Sequence, residues 1–208
     1  KKPAHVLMPG RALCGEVVVA DIGLHASVDQ AIQPTVFENS PELWRADWPS
    51  LAAQDHKYRR GHALVYGGGL MTGAARLSAR AAARVGAGLT TVVAPESAWA
   101  IYATALTSIM VQPLVGMDAV ELAASLRAVL GDQRISAVLL GPGAAGGLLR
   151  GVRPLVEAVL ACGRPVVLDA DALTAFESDP EALFAAIKSS PKRAVVLTMI
   201  MGMVNVVG

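Results

Sequence analysis

The sequence predicts a three-layer α/β/α sandwich built on a mostly parallel sheet, and three observations predict it. Short β-branched runs alternate with Ala- and Leu-rich segments of helical period along most of the chain. Strand, helix, strand at this spacing implies right-handed crossovers, which put helices on the faces of a parallel sheet. With 208 residues, 53% hydrophobic and 17% charged, the chain has the apolar content of a sheet buried on both faces.

The strand candidates, in order, are Glu16–Ile22, Ala63–Gly67, Leu89–Ala94, Ile109–Pro113, Ala137–Gly141, Pro165–Asp169 and Ala194–Thr198. Helical period marks Gly73–Val85, Glu96–Ala105, Asp118–Leu130, Gly147–Cys162 and Pro180–Lys188. In the first of these helices Arg76, Arg80 and Arg84 recur every fourth residue and read as a solvated face. The same periodicity turns Ala74, Leu77, Ala81 and Val85 toward the sheet. The stretch from Gly23 to Asp55 carries Pro34, Pro41 and Pro49 and two tryptophans without a sustained period, so it reads as an irregular connector. The expected organisation is a short segment over 1–24, a linker over 25–55 and an α/β domain over 56–208.

Composition removes several function classes. Aromatics make up 4% of the chain and the net charge is +1, a poor platform for nucleic acid. The apolar runs are short and broken by Gly, Pro or charge, so no membrane span is expected. Lys1-Lys2-Pro3 is not followed by a signal-like apolar region. Cys14 and Cys162 form neither a CxxC nor a zinc spacing, which points to a reducing cytoplasm. His5, His25, His56 and His62 show no ligand spacing and read as structural or surface groups, so no metal centre is expected.

Chemistry concentrates in three phrases. Ala63-Leu-Val-Tyr-Gly-Gly-Gly-Leu-Met-Thr-Gly-Ala-Ala75 ends a buried strand at glycines and restarts as a helix. Such a turn leaves unpaired N–H groups at the positive end of a helix dipole, where anions and nucleotides bind. Glycines there serve tight packing equally well. Val138-Leu-Leu-Gly-Pro-Gly-Ala144 ends a second strand, and Val166-Val-Leu-Asp-Ala-Asp-Ala-Leu173 ends a third in two aspartates. All three turns fall at the carboxyl edge of a parallel sheet, the edge where ligands sit. Asp169 and Asp171 there either hold a ribose hydroxyl, a water or a magnesium ion, or cap the following helix.

Five ordered phrases together carry a resemblance over about Asp55 to Thr198. They are His56-Lys57 through Gly61-His62, Tyr66-Gly-Gly-Gly-Leu-Met-Thr-Gly-Ala-Ala75, Arg84-Val-Gly-Ala-Gly-Leu-Thr90, Gly141-Pro-Gly143 and Leu168-Asp-Ala-Asp-Ala-Leu173. They closely resemble the ADP/ATP-dependent NAD(P)H-hydrate dehydratase family. Pro9 to Gly23 resembles the tail of the NAD(P)H-hydrate epimerase domain that precedes the dehydratase in bifunctional bacterial proteins.

The resemblance implies a ribokinase-like α/β/α fold, incomplete at its C-terminal half. It implies removal of water from hydrated NADH or NADPH, with ADP or ATP and Mg2+ as cofactors. It also implies a small-molecule partner, hydrated NADH or NADPH, and a possible homo-oligomer; composition and cysteine usage add that neither nucleic acid nor membrane is a partner and that the setting is cytoplasmic. Ala74 matches the small residue that contacts the hydrate after the first turn, and Gly143 the glycine that lies against the same ligand. Gly141 and Asp171 join them as substrate-binding candidates by position.

Where the family continues with Pro-His-Pro-Gly-Glu, this chain reads Met199-Ile-Met-Gly-Met-Val-Asn-Val-Val-Gly208. Its Lys-Gly nucleotide segment and its Gly-Ser-Gly-Asp phrase have no counterpart in the 208 residues. The expectation is therefore a dehydratase relative without turnover on its own, with no catalytic residue assigned. The uncharged run over 199–208 reads as foreign to the family and prone to aggregation. Two alternatives stand beside this reading, a nucleotide-binding remnant and a small-molecule kinase of the same fold. Against the kinase stand the epimerase-like tail and the His56-Lys57 to Gly61-His62 approach.

Overall fold

The computed structural model describes residues 1–25, 27–50, 52, 54–146 and 151–198. The chain divides into two compact units, Lys1–Ala52 and Ala53–Gly208. The first holds short helical pieces at Gly10–Leu13, Ser27–Ile32 and Pro41–Trp44, with single 3-10 turns at Pro3–His5 and Arg45–Asp47. None of its described residues is buried, and Glu16–Ile22 forms no strand. Val18, Val19 and Ile22 stay exposed, and the described residues of this unit form no sheet for the β-branched run to join. The connector is also more helical than its prolines suggested, because Pro41 sits in the first turn of a helix, where a missing N–H costs nothing.

The second unit is a six-stranded sheet of β1 (His62–Tyr66), β2 (Leu89–Pro95), β3 (Met110–Leu114), β4 (Ala137–Leu140), β5 (Val166–Asp169) and β6 (Val195–Thr198). Their order is β3-β2-β1-β4-β5-β6. Every neighbouring pair is parallel. The chain thus starts in the middle, winds to one edge, then returns to wind to the other. The reversal lies between β1 and β4, where the turns leaving two adjacent strands diverge and open a crevice. The strand boundaries fall within one residue of the predicted ones.

The crossovers are α1 (Gly73–Val85), α2 (Glu96–Ala105), α3 (Ala119–Leu130), α4 (Arg153–Ala161), α5 (Asp171–Thr174) and α6 (Pro180–Lys188). The residues over 147–150, predicted as the start of the fourth long helix, lie outside the described residues, as does the run over 199–208. Strand side chains alternate between two cores, as the period of two requires. Leu64, Val138, Leu140, Val166 and Leu168 pack on one face with Leu122 and Leu126 of α3 and Leu155 and Val159 of α4. Val65, Val92 and Ala94 pack on the other with Ala75 and Ala79 of α1 and Ala98 and Tyr102 of α2.

The face of α1 differs from the prediction. Ala75 and Ala79 are its buried residues. Leu77 and Val85, expected against the sheet, are 68% and 65% exposed, and Ala74 and Ala81 are exposed as well. The helix buries methyl groups only, so the larger apolar residues, which dominated the sequence reading, are turned outward.

At the amino end of the sheet, the buried His62 ring places Nε2 2.8 Å from the Thr91 hydroxyl. The His62 backbone N–H donates to Ser136 Oγ at 2.8 Å, tying β1 to the residue before β4. Burial lowers the His62 pKa from its ordinary value of 6.5, with Asp132 opposing the shift and Arg134 adding to it. A histidine held neutral in the fold takes up its proton later than the unfolded chain does as pH falls. The stability it contributes is therefore complete above about pH 6.5 and declines below it. We expect the melting temperature to fall between about pH 7.5 and 5.5, and His62→Gln to flatten that fall. Equal declines in parent and variant, followed by circular dichroism, would remove His62 from this role.

Candidate functional site

Three turns meet at the carboxyl edge. The first, after β1, runs from Gly67 into α1, and the second, after β4, runs through Gly141-Pro142-Gly143. A Cβ on Gly68 would run into the Gly143 carbonyl oxygen, and one on Gly143 into the Met71 carbonyl oxygen. The two turns are thus packed backbone on backbone. Gly141 has φ 144° and lies against the Asp169 backbone carbonyl, which joins the second turn to the end of β5. Only glycine combines that dihedral with that approach.

Asp171 completes the clamp, its Oδ2 accepting the Ala145 N–H at 2.9 Å. It does not cap the helix it opens, since the N-cap position is Ala170 and no side chain bonds there. Ala170 itself takes φ 45°, a strained conformation for a residue with a Cβ, held in place by the surrounding bonds. Its carbonyl accepts from the Leu173 and Thr174 N–H groups at 2.8 and 3.1 Å. For Asp171 the capping alternative is therefore replaced by a tie between turns, whereas Asp169 joins the second turn through its backbone carbonyl.

Gly141, Gly143 and Asp171 are thereby brought into one packed unit, and the Gly143 contact joins it to the turn that leads into Ala74. Ala74 is exposed in the first turn of α1. Thr72 supplies no side-chain cap there, and no atom beyond its neighbours lies within 4 Å of where a Gly73 Cβ would stand. First-turn N–H groups of a helix have no intrahelical acceptor, and the dipole favours an anion beside them.

Beneath the turns lies a polar layer that the sequence reading passed over. The Tyr102 hydroxyl donates to the Gly68 carbonyl at 3.0 Å, bracing the first turn from α2. Burial pushes the Tyr102 phenol up to about 12, with Arg76 pulling the other way. Burial, reinforced by Tyr102, raises the Tyr66 phenol further still. Tyr66 Oη, Arg76 Nε and Asp169 Oδ1 are buried and lack a hydrogen-bond partner among the described residues. Arg76 is consequently half-buried and not part of a solvated face, whereas Arg80 and Arg84 are exposed as expected. Its place between the small Ala75 and the long Leu77 gave no periodic signal to separate it from the other two arginines.

The same glycine turn borders a cavity of about 550 Å3. Gly69 and Leu70 form one wall, the β2–α2 corner at Pro95–Ser97 another, and the loop over Val115–Met117 with Glu121 of α3 the third.

The sequence profile described as NAD(P)H-hydrate dehydratase matches residues 63–199, which span all of the sheet but its first residue and all three turns. The chain belongs to the NAD(P)H-hydrate dehydratase family. It is 38% identical over 176 residues to the bifunctional NAD(P)H-hydrate repair enzyme of Salinibacter ruber, covering 80% of this chain and 32% of the relative. The ATP-dependent (S)-NAD(P)H-hydrate dehydratase of Emericella nidulans is 32% identical over 146 residues, covering 64% of this chain and 39% of the relative. The chain therefore spans between about a third and two fifths of these relatives.

Among solved structures, the ADP/ATP-dependent NAD(P)H-hydrate dehydratase of Bacillus subtilis, co-crystallised with ATP/Mg2+, matches with TM-score 0.50 and 26% identity. The match covers 77% of this chain and 50% of that one. A ribokinase-like superfamily protein of Enterococcus faecalis matches with TM-score 0.51 and 23% identity, over 63% and 44% of the two chains. The fold of this family member is accordingly the ribokinase-like α/β fold.

The packing separates glycines that are structurally required from one that is open. Gly68→Ala is expected to destabilise the domain by about 3 kcal/mol, because its Cβ meets backbone that cannot move aside. Gly73→Ala, with space around it, is expected to be neutral or stabilising by up to about 1 kcal/mol. Urea unfolding of both variants checks the contrast, and equal effects would contradict the turn-on-turn packing.

Proposed function

We propose that this chain carries the substrate-holding part of an NAD(P)H-hydrate dehydratase site and binds hydrated NADH or NADPH without turning it over alone. The observation that supports this most directly is the family match over 63–199, because those residues build the carboxyl edge. The open first turn of α1 suits a phosphate of the dinucleotide, with Ala74 small enough to let it approach. Gly141 and Gly143 keep the neighbouring turn free of side chains at the crevice. Asp171 acts through the Ala145 N–H, holding that turn in place.

The nucleotide cofactor is ADP or ATP. Mg2+ has less support, since among the described residues no group of three or more His, Cys, Asp or Glu side chains is placed to hold a metal ion. A magnesium ion here is held mainly by phosphates and water, its usual habit. When bound, the nucleotide supplies a phosphoryl group that makes the ring hydroxyl of the hydrate a good leaving group. The chain's own part is to bind and orient, and the base at that hydroxyl is left unassigned.

The setting is the cytoplasm, in keeping with two free thiols, Cys14 and Cys162. No described helix is long and apolar enough to cross a membrane. A homo-oligomer is the expected assembly.

The test is recovery of NADPH absorbance from chemically prepared hydrate, with and without ADP or ATP, beside direct titration of the hydrate. Binding without recovery is the expected result. Nucleotide-dependent recovery would show that the chain contains its own base, and absence of binding would overturn the proposal. Ala74→Trp fills the open turn and is expected to weaken hydrate binding at least tenfold while leaving the melting curve unchanged. Unaltered affinity in that variant would relocate the site.

A further inference from the structure

The loop after β3 holds its side chains in an arrangement that the proposed function leaves unexplained. The Val115 N–H donates to Ser125 Oγ at 3.1 Å, and the Met117 N–H donates to Glu121 Oε2 at 2.7 Å. Between them Gly116, with φ 153°, lies so close to the first turn of α3 that a Cβ would stand 2.7 Å from the Leu122 nitrogen. The backbone is thus fastened inward while the side chains project outward. Val115 is 69% exposed and Met117 92%, and Leu70 across the cavity is 75% exposed. A single exposed apolar side chain needs no explanation, but three around the mouth of one cavity mark a place where something apolar is received.

Charge narrows what that is. Among the described residues the cavity is lined by two carboxylates, Glu96 and Glu121, and by no lysine, arginine or histidine. The field of these two carboxylates repels phosphate. Uncapped helix N–H groups and the half-buried Arg76 lie instead with the α1 side of the same turn. One glycine turn therefore has an anion-attracting flank and an anion-repelling, apolar flank. A dinucleotide has the same division, with charged phosphates in the middle and uncharged rings at its ends.

We infer that the cavity between Leu70, the β2–α2 corner and the Val115–Met117 loop receives an uncharged nitrogen heterocycle bearing an exocyclic N–H donor. This rests on the substrate being a dinucleotide. Leu70, Val115 and Met117 cover the faces of the ring, and the carboxylates with the Ser97 hydroxyl accept its amine or amide hydrogens. The adenine amine and the carboxamide of reduced nicotinamide share this chemistry. About 550 Å3 is enough for either ring with its ribose.

Equilibrium titration of the full chain with adenosine, reduced nicotinamide riboside, hydrated NADPH and inorganic pyrophosphate tests the inference. The variants are Met117→Asp and Val115→Asp, whose parent side chains are exposed, so their melting curves should match the parent's. We expect the parent to bind at least one of the nucleosides, and the one that binds identifies which end of the substrate enters. Each substitution should weaken that nucleoside and the hydrate by the same factor, about tenfold, and leave pyrophosphate unchanged. Hydrate binding that is unmoved by both substitutions would overturn the inference and leave the proposed function standing. Nucleoside binding that both substitutions weaken, beside no binding of the hydrate, would do the reverse. A parent that binds neither nucleoside also overturns it.

Discussion

The carboxyl edge depends on one contact between two backbones, where Gly68 in the turn after β1 meets the Gly143 carbonyl in the turn after β4. The reversal of strand order between β1 and β4 opens a crevice, and loops with ordinary side chains would stand apart across it. Here the absence of side chains lets them touch. The contact fixes the height of both turns above the sheet and so the place where α1 begins. Tyr102 supports the first turn from α2, and Asp171 supports the second from α5. The glycine-rich phrases are therefore primarily architecture, and the open ground for a ligand is the small region they leave uncovered at Gly73 and Ala74.

That architecture sorts charge. The dipole of α1 and the half-buried Arg76 make one side of the first turn hospitable to anions. Tyr66 and Tyr102 are protonated at physiological pH as any phenol is, and burial raises both further, so they contribute dipoles and no negative charge beneath the turns. On the cavity side Glu96 and Glu121 make the opposite field. A ligand with a charged centre and neutral ends can lie across the turn in few ways. Specificity of that kind comes from the fold and requires no large movement on binding.

Fold class, the succession of the six sheet strands and the boundaries of most long elements after residue 60 were legible in the sequence, whereas the short helices at Gly10–Leu13, Ser27–Ile32, Pro41–Trp44 and Asp171–Thr174 were not. Binary patterning is strong where a strand is buried on both faces, as in the runs around Leu64 and Leu168. It misled at Glu16–Ile22, because β propensity expresses a fit to a sheet surface and the described residues of 1–52 hold no sheet. It misled again on α1, where Ala75 and Ala79 take the sheet and the larger Leu77 does not. Hydrophobicity ranks leucine above alanine, but a narrow gap selects for size. The three turns could be named from sequence as site candidates, whereas Tyr66, Tyr102 and Arg76 could not, since burial of a polar atom is a property of the assembled fold. The two alternatives left open for Asp169 and Asp171 were of the same kind. Only the assembled turns show Asp171 bonding to Ala145 and Asp169 left with an orphan oxygen.

Stability and binding are carried by different parts of this sheet. Successive residues Val196 and Leu197 of β6 point to opposite faces, and both are exposed, so the described chain covers neither face there. An edge strand with bare apolar faces favours association with other chains. The glycine contact, by contrast, involves the turns after β4 and β1, two and three strands in from that edge. It is linked to β6 through β5, where Asp169 pairs with Thr198 and its carbonyl receives Gly141. Loosening of β6 therefore reaches the second turn before the first. The phosphate-facing start of α1 is the last part of the site to feel it, since it is anchored by β1 and β2 and by the alanines buried between them.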